Sequence, residues 1–257
     1  MKKNTLVFAY FSLLITILSV ASCASPAKIV YFQDLEGVEV NDTLINYQPK
    51  IQVGDLLSIN VSAVDAEAAL PFNLYETPIL GNTATTAKPL TYLVDAEGNI
   101  HFPVIGKLNV LDLTTMELNT KLTTILETYI KNPIVNIRFT NFKVTVMGQV
   151  KKPGSYEVPN ERITIVDAIG LAGDLEIHGK RKNVLLIREQ NGKRVFVNLD
   201  LTNKELFNSP YYYLAQNDVI YVEPNRTQVN ASAVGANTSV ILSTISILLS
   251  MVTIFLL

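Results

Sequence analysis

Three aspartates are the first candidates for chemistry. Asp55 follows Gly54, Asp95 begins an Asp-Ala-Glu-Gly run, and Asp167 lies in the first turn of a predicted helix. Paired carboxylates can act as general acid and base, and glycan hydrolysis needs such a pair. Asp is also favoured in turns and at helix starts, because its side chain accepts backbone hydrogen bonds there. A structural role explains all three residues better than a catalytic one.

Other catalytic motifs are missing from the sequence. His101 and His178 lie far apart, and neither is near a serine in a recognisable hydrolase motif. Gly170, Gly173 and Gly179 are not followed by the Gly-Lys-Ser/Thr of a phosphate loop. A single cysteine excludes internal disulfides and Cys-based zinc clusters. We predict that the chain is not an enzyme and has no catalytic residues, metal or cofactor.

The charge balance restricts the class of partner. The chain has 21 Lys and Arg against 23 Asp and Glu, a net charge of -2, so no global basic field attracts nucleic acid. Lys180-Arg181-Lys182 is a short basic cluster, for which a solvated loop is the default and contact with an acidic polymer the alternative. Tyr211 to Tyr213 could stack on sugars, but at least one of them is expected in the core. We expect no nucleic-acid partner.

The cysteine lies where a lipid anchor would be attached. Residues 1–22 combine two lysines with a long uncharged apolar run, which is the organisation of a secretory signal. Cys23 follows Val20-Ala21-Ser22 directly, an order that resembles a bacterial lipobox, in which the thiol carries diacylglycerol. Several acyl chains anchor a protein stably where one does not. The alternatives are a buried free thiol, or an ordinary signal that ends beside a cysteine.

The residues after Cys23 bear on the destination of the mature chain. Ala24 and Ser25 follow, whereas Asp at the next position would retain a lipoprotein in the inner membrane under the best-known bacterial sorting rule. By that resemblance we expect a lipid-anchored protein of the outer membrane, with its soluble domains in the periplasm.

The C-terminus carries a second apolar run. No charged residue follows Arg226, and residues 240–257 are Val, Ile, Leu, Met and Phe with scattered Ser and Thr. As a helix this run would be about 27 Å long, close to the hydrocarbon thickness of about 30 Å. We predict a C-terminal membrane helix over residues 231–257.

Hydroxyl side chains recur along this segment at spacings of four, three, four and three residues. They form one narrow stripe on a helix: Ser239, Ser243, Ser246, Ser250 and Thr253. Such a stripe permits close helix packing, or lines a hydrated lumen built from several copies. The alternative is a single anchor whose hydroxyls bond to carbonyls of their own helix.

The soluble part divides into two units. After a linker over residues 23–43, residues 44–140 predict a small α+β domain. Its strand after the Gly54-Asp55 turn alternates apolar and polar residues, a hairpin is predicted between residues 91–94 and 99–104, and a capping box at Thr114 starts a helix that ends before Asn132-Pro133. A strand follows over residues 134–139.

The second unit covers residues 141–225. A strand over residues 143–150, a Pro153-Gly154 turn and a returning strand precede a short helix that ends near Gly173. Further strands are predicted over residues 184–188, 195–199, 211–214 and 219–222. Two strands, a helix and more strands in this length fit a β-grasp.

These elements together resemble the Wza-like outer-membrane polysaccharide export lipoproteins. The first unit resembles their export domain, and the second their soluble-ligand-binding β-grasp (SLBB) domain. The resemblance covers about residues 44–225 and is carried by short motifs around Gly54, Asp55, Gly98, Pro103, Gly106, Gly148, Pro153, Gly154 and Gly173.

The resemblance implies an α+β chain with an export domain, one β-grasp domain and a C-terminal transmembrane helix. It also implies a homo-oligomeric ring in outer-membrane lipid, through which capsular or exopolysaccharide passes and in which the C-terminal helices form the pore. An inner-membrane copolymerase of the tyrosine-kinase type is the implied partner. Longer members carry more β-grasp domains than the one in this chain, so we expect a shorter periplasmic vestibule. A second departure from the family pattern is Asp174, which stands where a second Gly is frequent.

A competing class is a non-channel envelope lipoprotein. Its β-grasp domain would bind a soluble glycan or scaffold an envelope assembly. A stable ring and a spanning helix separate the two classes.

Overall fold

The computed structural model describes residues 29–33, 47–75, 89–190, 192–233 and 237–256. The predicted signal peptide and the lipidation site at Cys23 lie outside these residues. Two α+β domains follow each other along the described chain, and their buried apolar side chains form one continuous core cluster.

An antiparallel sheet centres the first domain. Strand β1 (Leu56–Ser62) is followed by a short helix α1 (Ala66–Ala69), and β1 pairs with β2 (Tyr92–Leu93). The predicted alternation along β1 is confirmed, since Leu57, Ile59 and Val61 are buried. Successive residues on a strand face opposite sides of a sheet, so the face of β1 that carries these three residues packs into the core.

The predicted hairpin between residues 91–94 and 99–104 is wrong in its pairing. Strand β3 (Asn99–Phe102) pairs instead with β4 (Gly106–Asn109). The backbone groups of Val94 are already used, because its N–H donates to Asp55 and its C=O accepts from Gly54. These bonds hold the end of β2 against the start of β1. The backbone of Val94 is therefore not available to β3, which pairs with β4 instead.

The predicted capping box is confirmed in helix α2 (Thr115–Leu126). Thr114 Oγ1 accepts the Glu117 N–H, and the Glu117 carboxylate accepts the Thr114 N–H. Leu118, Leu122 and Leu126 form its buried face. Strand β5 (Ile134–Phe139) follows and pairs antiparallel with β1, so the sheet order is β2-β1-β5.

The second domain is built on a five-stranded sheet. Strands β6 (Lys143–Gly148) and β7 (Gly154–Glu157) form a hairpin, helix α3 (Ile165–Leu171) follows, and β8 (Gly179–Gln190) pairs with β9 (Lys193–Leu199). Strand β10 (Val219–Pro224) lies between β6 and β8 and completes the order β7-β6-β10-β8-β9. The β6–β10 pair is parallel.

The predicted strand over residues 211–214 is wrong. Tyr213 makes only an isolated bridge with Thr164, in the segment that leads into α3. Ile165 N–H donates to Tyr212 C=O, and Leu214 N–H donates to Ile163 C=O. The backbone of these tyrosines is thus used to fasten the start of a helix, and it adds no strand to the sheet.

Part of the predicted linker contacts the second domain. Gln33 pairs with Asn203, and the Tyr31 hydroxyl donates to Asp174 Oδ1 at 2.6 Å. Phe32 packs against Phe207, with 5.2 Å between ring centroids. Residues 29–33 therefore lie on the domain that is more distant in sequence.

Two helices follow β10 at the C-terminus, α4 (Arg226–Ala233) and α5 (Asn237–Leu256). Within the described residues, no helix is both long enough and apolar enough to cross a membrane. The prediction of a C-terminal transmembrane helix over residues 231–257 is therefore not supported by the structure.

Replacement of Gly148 tests the close contact between β6 and β10. Gly148 has φ +91°, and an added Cβ would lie 2.1 Å from the Val222 carbonyl oxygen. Backbone strain of this kind costs about 1–3 kcal/mol even before the clash is relieved. We expect Gly148→Ala to lower the free energy of unfolding by at least about 2 kcal/mol, measured by denaturant unfolding of the purified chain.

Gly170→Ala is the matched control for this substitution. Gly170 lies in α3, and an added Cβ there meets no atom within 4 Å. Ala in a helix interior is about 0.5–1 kcal/mol more favourable than Gly, so this variant should keep or gain stability. Equal losses in both variants would contradict the role of the β6–β10 contact.

Candidate functional site

The turn at Gly54 and Asp55 holds a buried carboxyl group. Asp55 is 1% exposed, its Oδ2 accepts the Gln52 N–H at 2.8 Å, and its Oδ1 has no hydrogen-bond partner. Burial raises the pKa of Asp55 to about 6, and the bond from Gln52 opposes that rise. The side chain closes the turn from which β1 starts.

Asp95 and Asp167 also accept backbone hydrogen bonds. Asp95 Oδ1 accepts the N–H groups of Asn99 at 2.8 Å and Glu97 at 2.9 Å. These bonds, led by that from Asn99, hold the pKa of Asp95 below its ordinary value. Asp167 forms a capping box with Thr164 at the start of α3. Each aspartate serves its own turn, and the structure does not bring the three together.

The junction between the domains is built around Asn141. Its Oδ1 accepts the Leu56 N–H at 3.0 Å, and its Nδ2 donates to the Gly54 carbonyl at 3.2 Å. The Asn141 carbonyl accepts from Gln216 Nε2 at 2.6 Å, and Gln216 Oε1 accepts the Lys143 N–H. One residue thus bonds the start of β1 to a loop of the second domain.

Stacked tyrosines form a second contact at this junction. Tyr47, near the start of the first domain, lies parallel to Tyr213 of the second, with ring centroids 5.2 Å apart. The Arg162 guanidinium lies 4.6 Å from the Tyr213 ring centroid. Tyr213 is only 8% exposed, so the ring contributes to the core and is not an open platform for sugars.

A buried ion pair lies beneath these tyrosines. Arg188 Nη2 lies 2.6 Å from Asp218 Oδ2, and Arg188 also donates to the Tyr213 carbonyl. Asp218 is fully buried and accepts the Ala215 N–H as well. Sequence reasoning missed this pair, because 30 residues separate its partners and no local motif marks them.

The glycines of the predicted motifs lie mostly at left-handed turns. Positive φ angles between +75° and +91° occur at Gly54, Gly98, Gly106, Gly148 and Gly173. This region of backbone space favours Gly, since other residues carry a Cβ that clashes there. Pro103 lies in the turn between β3 and β4, Pro153 directly precedes β7, and Gly154 begins β7 without a positive φ.

The hydroxyl stripe is described only in part. Ser243 Oγ donates to the Val240 carbonyl at 3.1 Å and Ser250 Oγ to the Ile247 carbonyl at 2.8 Å, as in the alternative of a helix that satisfies its own hydroxyls. Ser246 is exposed. The side chains of Ser239 and Thr253 lie outside the described residues.

Two concave surfaces are present. A cavity of about 160 Å³ lies beneath residues 29–33 and is mainly apolar. A groove of about 360 Å³ borders β5 and has a mixed lining, with Gln48, Asn119, Asn136 and Arg138 beside the apolar Met116, Val135 and Ile137. No group of three or more His, Cys, Asp or Glu side chains that could hold a metal ion occurs within the described part of the chain.

This arrangement defines a class of protein. Two α+β domains are joined by the bonds of Asn141, by the Phe139 N–H that donates to Glu161 and by the stacked tyrosines. The candidate carboxylates serve separate turns, as in a structural or binding protein. Residues 45–140 match the family model described as polysaccharide biosynthesis/export protein, and residues 142–222 match the SLBB domain. The two matches confirm the predicted resemblance to the Wza-like polysaccharide export proteins.

Two curated relatives support this assignment. The chain is similar to the EPS I polysaccharide export outer membrane protein EpsA of Ralstonia solanacearum, at 27% identity over 197 residues, or 74% of this chain and 52% of the relative. The EpsA protein of Ralstonia nicotianae is 26% identical over 196 residues, with 73% and 51% covered. The chain spans about half the length of these relatives.

The matched family and both relatives are described as export proteins and not as enzymes. This confirms the prediction that the chain is not an enzyme, and it agrees with the separate structural roles of Asp55, Asp95 and Asp167.

Replacement of Asp55 tests the raised pKa of its buried carboxyl. A pKa of about 6 in the folded chain exceeds the value of about 3.9 expected after unfolding, so the folded chain binds the proton more tightly. Stability should therefore fall as the pH rises from about 4 to about 6. In Asp55→Asn that fall should be smaller, measured as the difference in unfolding midpoint between pH 4 and pH 7.

Asp95→Asn is the control for the sign of this effect. Because the pKa of Asp95 is lowered, its charged form stabilises the fold, and that contribution is lost as the pH falls. Its replacement should therefore reduce the loss of stability below about pH 4 and leave the change between pH 4 and pH 7 close to that of the wild type. Parallel curves for wild type and Asp55→Asn would show that the buried carboxyl does not titrate as stated.

Proposed function

We propose that this chain is a subunit of an oligomeric outer-membrane translocon that exports capsular or extracellular polysaccharide. The observation that carries the proposal is the order of the two matched domains, an export domain over residues 45–140 followed at once by an SLBB domain over residues 142–222. The names of the two relatives point to the same membrane and cargo.

The bonded junction supports a structural part in a passage. Asn141 joins the two domains through three hydrogen bonds, and Tyr47 stacks on Tyr213 beside it. A wall around a polymer must keep its shape while the polymer moves, and these contacts restrict rotation between the domains. We infer a passive passage, with the driving force supplied by polymer synthesis and by a copolymerase of the tyrosine-kinase type in the inner membrane.

A lipid on Cys23 would place the second domain next to the membrane. Residues 29–33 contact that domain through Tyr31 and Gln33. The six residue-to-residue steps from Cys23 to Ile29 reach about 20 Å when fully extended. In our proposal the SLBB domain therefore lies near the outer membrane, and the export domain extends into the periplasm.

Deletion of the gene that encodes this chain tests the export role. We expect the polymer to be synthesised but retained within the envelope, because the passage is missing, and the wild-type chain should restore release. The measurement compares cell-retained and released polysaccharide in the wild-type, deletion and complemented strains. Unchanged release would contradict the translocon and favour a non-channel envelope lipoprotein that binds a glycan or acts as a scaffold.

The anchor is tested by Cys23→Ala. Cys23 is the single cysteine of the chain, so labelled fatty acid should be incorporated into the wild type and lost in the variant. The variant should also be released from membranes at high salt. Absence of label in the wild type would refute the anchor, and Ser22→Thr, with the cysteine retained, controls for general effects on processing.

A further inference from the structure

The sheet of the second domain has two edges that no described strand covers. Strand β7 forms one edge and β9 the other. Edge strands present backbone N–H and C=O groups with which another chain can pair. β7 is antiparallel to β6, β6 is parallel to β10, and β9 also runs parallel to β10 because both are antiparallel to β8. It follows that β7 and β9 run in opposite directions.

We propose that β9 of one copy of this chain pairs with β7 of the next copy. This contact rests on the proposed function, since it presumes the oligomer and names the surfaces that build it. A rotation about an axis along the strands preserves their direction, so β9 would meet the neighbouring β7 in antiparallel orientation. Closed rings need such head-to-tail contacts between two different surfaces.

The free backbone groups of β7 follow from its pairing with β6. Val158 N–H donates to Phe142 C=O, just beyond the end of β7. In an antiparallel pair, alternate residues bond to the partner strand and those between them point away. Ser155 and Glu157 therefore direct their N–H and C=O groups to the open edge.

The free groups of β9 follow in the same way. Gln190 pairs with Lys193 across two intervening residues, and the closing pair of such a hairpin exchanges hydrogen bonds. Arg194 and Phe196 consequently direct their N–H and C=O groups away from β8. Asn198 continues this series within β9, so β7 offers two residues and β9 offers three at the same spacing.

Burial restricts the register to those in which exposed residues of the two strands pair with each other. Ser155, Glu157, Arg194 and Phe196 are all exposed, whereas the residues between them are partly buried toward the core. Pairing Glu157 with Arg194 therefore also pairs Ser155 with Phe196 and keeps exposed side chains on one face. A slip of one residue would reverse the faces.

Charge and apolar exposure favour the same register. Glu157 and Arg194 are opposite in sign, and opposite charges directly across an antiparallel pair are stabilising. Phe196 is 62% exposed on an edge strand, where an uncovered aromatic ring promotes unspecific association. Under the proposed pairing the neighbouring copy lies beside this ring at Ser155.

Paired cysteines test the contact in the full chain in its own membrane. Ser155 and Phe196 lie on opposite edges, so a disulfide in Ser155→Cys/Phe196→Cys joins different copies. Directly paired residues have Cα atoms about 5.5 Å apart, within the range of a disulfide. On oxidation we expect a ladder of dimers, trimers and larger species, and a reductant should remove this ladder. The ladder should be absent in each single variant and in the control Ser155→Cys/Asn198→Cys.

Charge reversal gives an independent readout of the same register. Glu157→Arg and Arg194→Glu should each reduce the amount of oligomer, and the double variant should restore it. Loss in the single variants without restoration in the double variant would overturn the proposed pairing. So would oligomers that form normally in all three.

A lysine-directed cross-linker on the wild type separates failure of the contact from failure of the proposed function. Oligomers captured by that reagent, without the cysteine ladder, would overturn the β7–β9 contact and leave the translocon standing. A chain that is monomeric by both methods would overturn both.

Discussion

The amide of Asn141 bonds to Leu56 and Gly54 of the first domain, while its carbonyl bonds to Gln216 of the second. Because the side-chain amide of Asn141 bonds to both a donor and an acceptor at the start of β1, rotation of the first domain relative to the second would break both bonds. The buried Asp55 closes the same turn. These polar bonds at one strand end restrict the orientation of the domains, together with the shared apolar core and the stack of Tyr47 on Tyr213.

The second domain depends on a different polar group. Arg188 lies on β8 and Asp218 directly precedes β10; both are buried and are satisfied by each other and by backbone groups of Tyr213 and Ala215. Buried charges are costly unless they are paired, so each of them requires the other. The pair holds the loop that carries Tyr213 against the sheet, and Tyr213 in turn stacks on Tyr47. Sheet, loop and domain junction are therefore connected through one ion pair.

These constraints suit a protein whose contribution is its shape. Polar groups that could serve catalysis close turns or join elements, and the carboxylates lie in separate turns. The surfaces left open include the groove beside β5 and the two edges of the larger sheet. Sheet edges hold unpaired backbone groups in fixed directions, which makes them suitable for assembly of identical subunits.

The sequence by itself determined the features that depend on neighbouring residues. Apolar alternation predicted β1, the spacing of Thr114 and Glu117 predicted the start of α2, and Gly54-Asp55 predicted a turn, because a few consecutive residues carry the whole signal. Gly148, by contrast, was predicted inside a strand that in the structure ends at this residue. The resemblance of these motifs to a known family also indicated the domain order. The stretch around residues 95–98 correctly indicated a turn, but not which strands would pair on either side of it.

Only the tertiary structure decided which distant groups meet. The partner of β3, the bond from Tyr31 to Asp174, the Arg188–Asp218 pair and the use of Tyr212 and Tyr213 as fasteners of α3 all join residues whose local sequence permits other partners. Hydrogen bonds of this kind form where the packed core brings two groups together. Local sequence propensity does not determine which residues distant in sequence become neighbours in space. Residues 211–214 therefore form no strand of the sheet, because their backbone groups bond to the segment at the start of α3 instead.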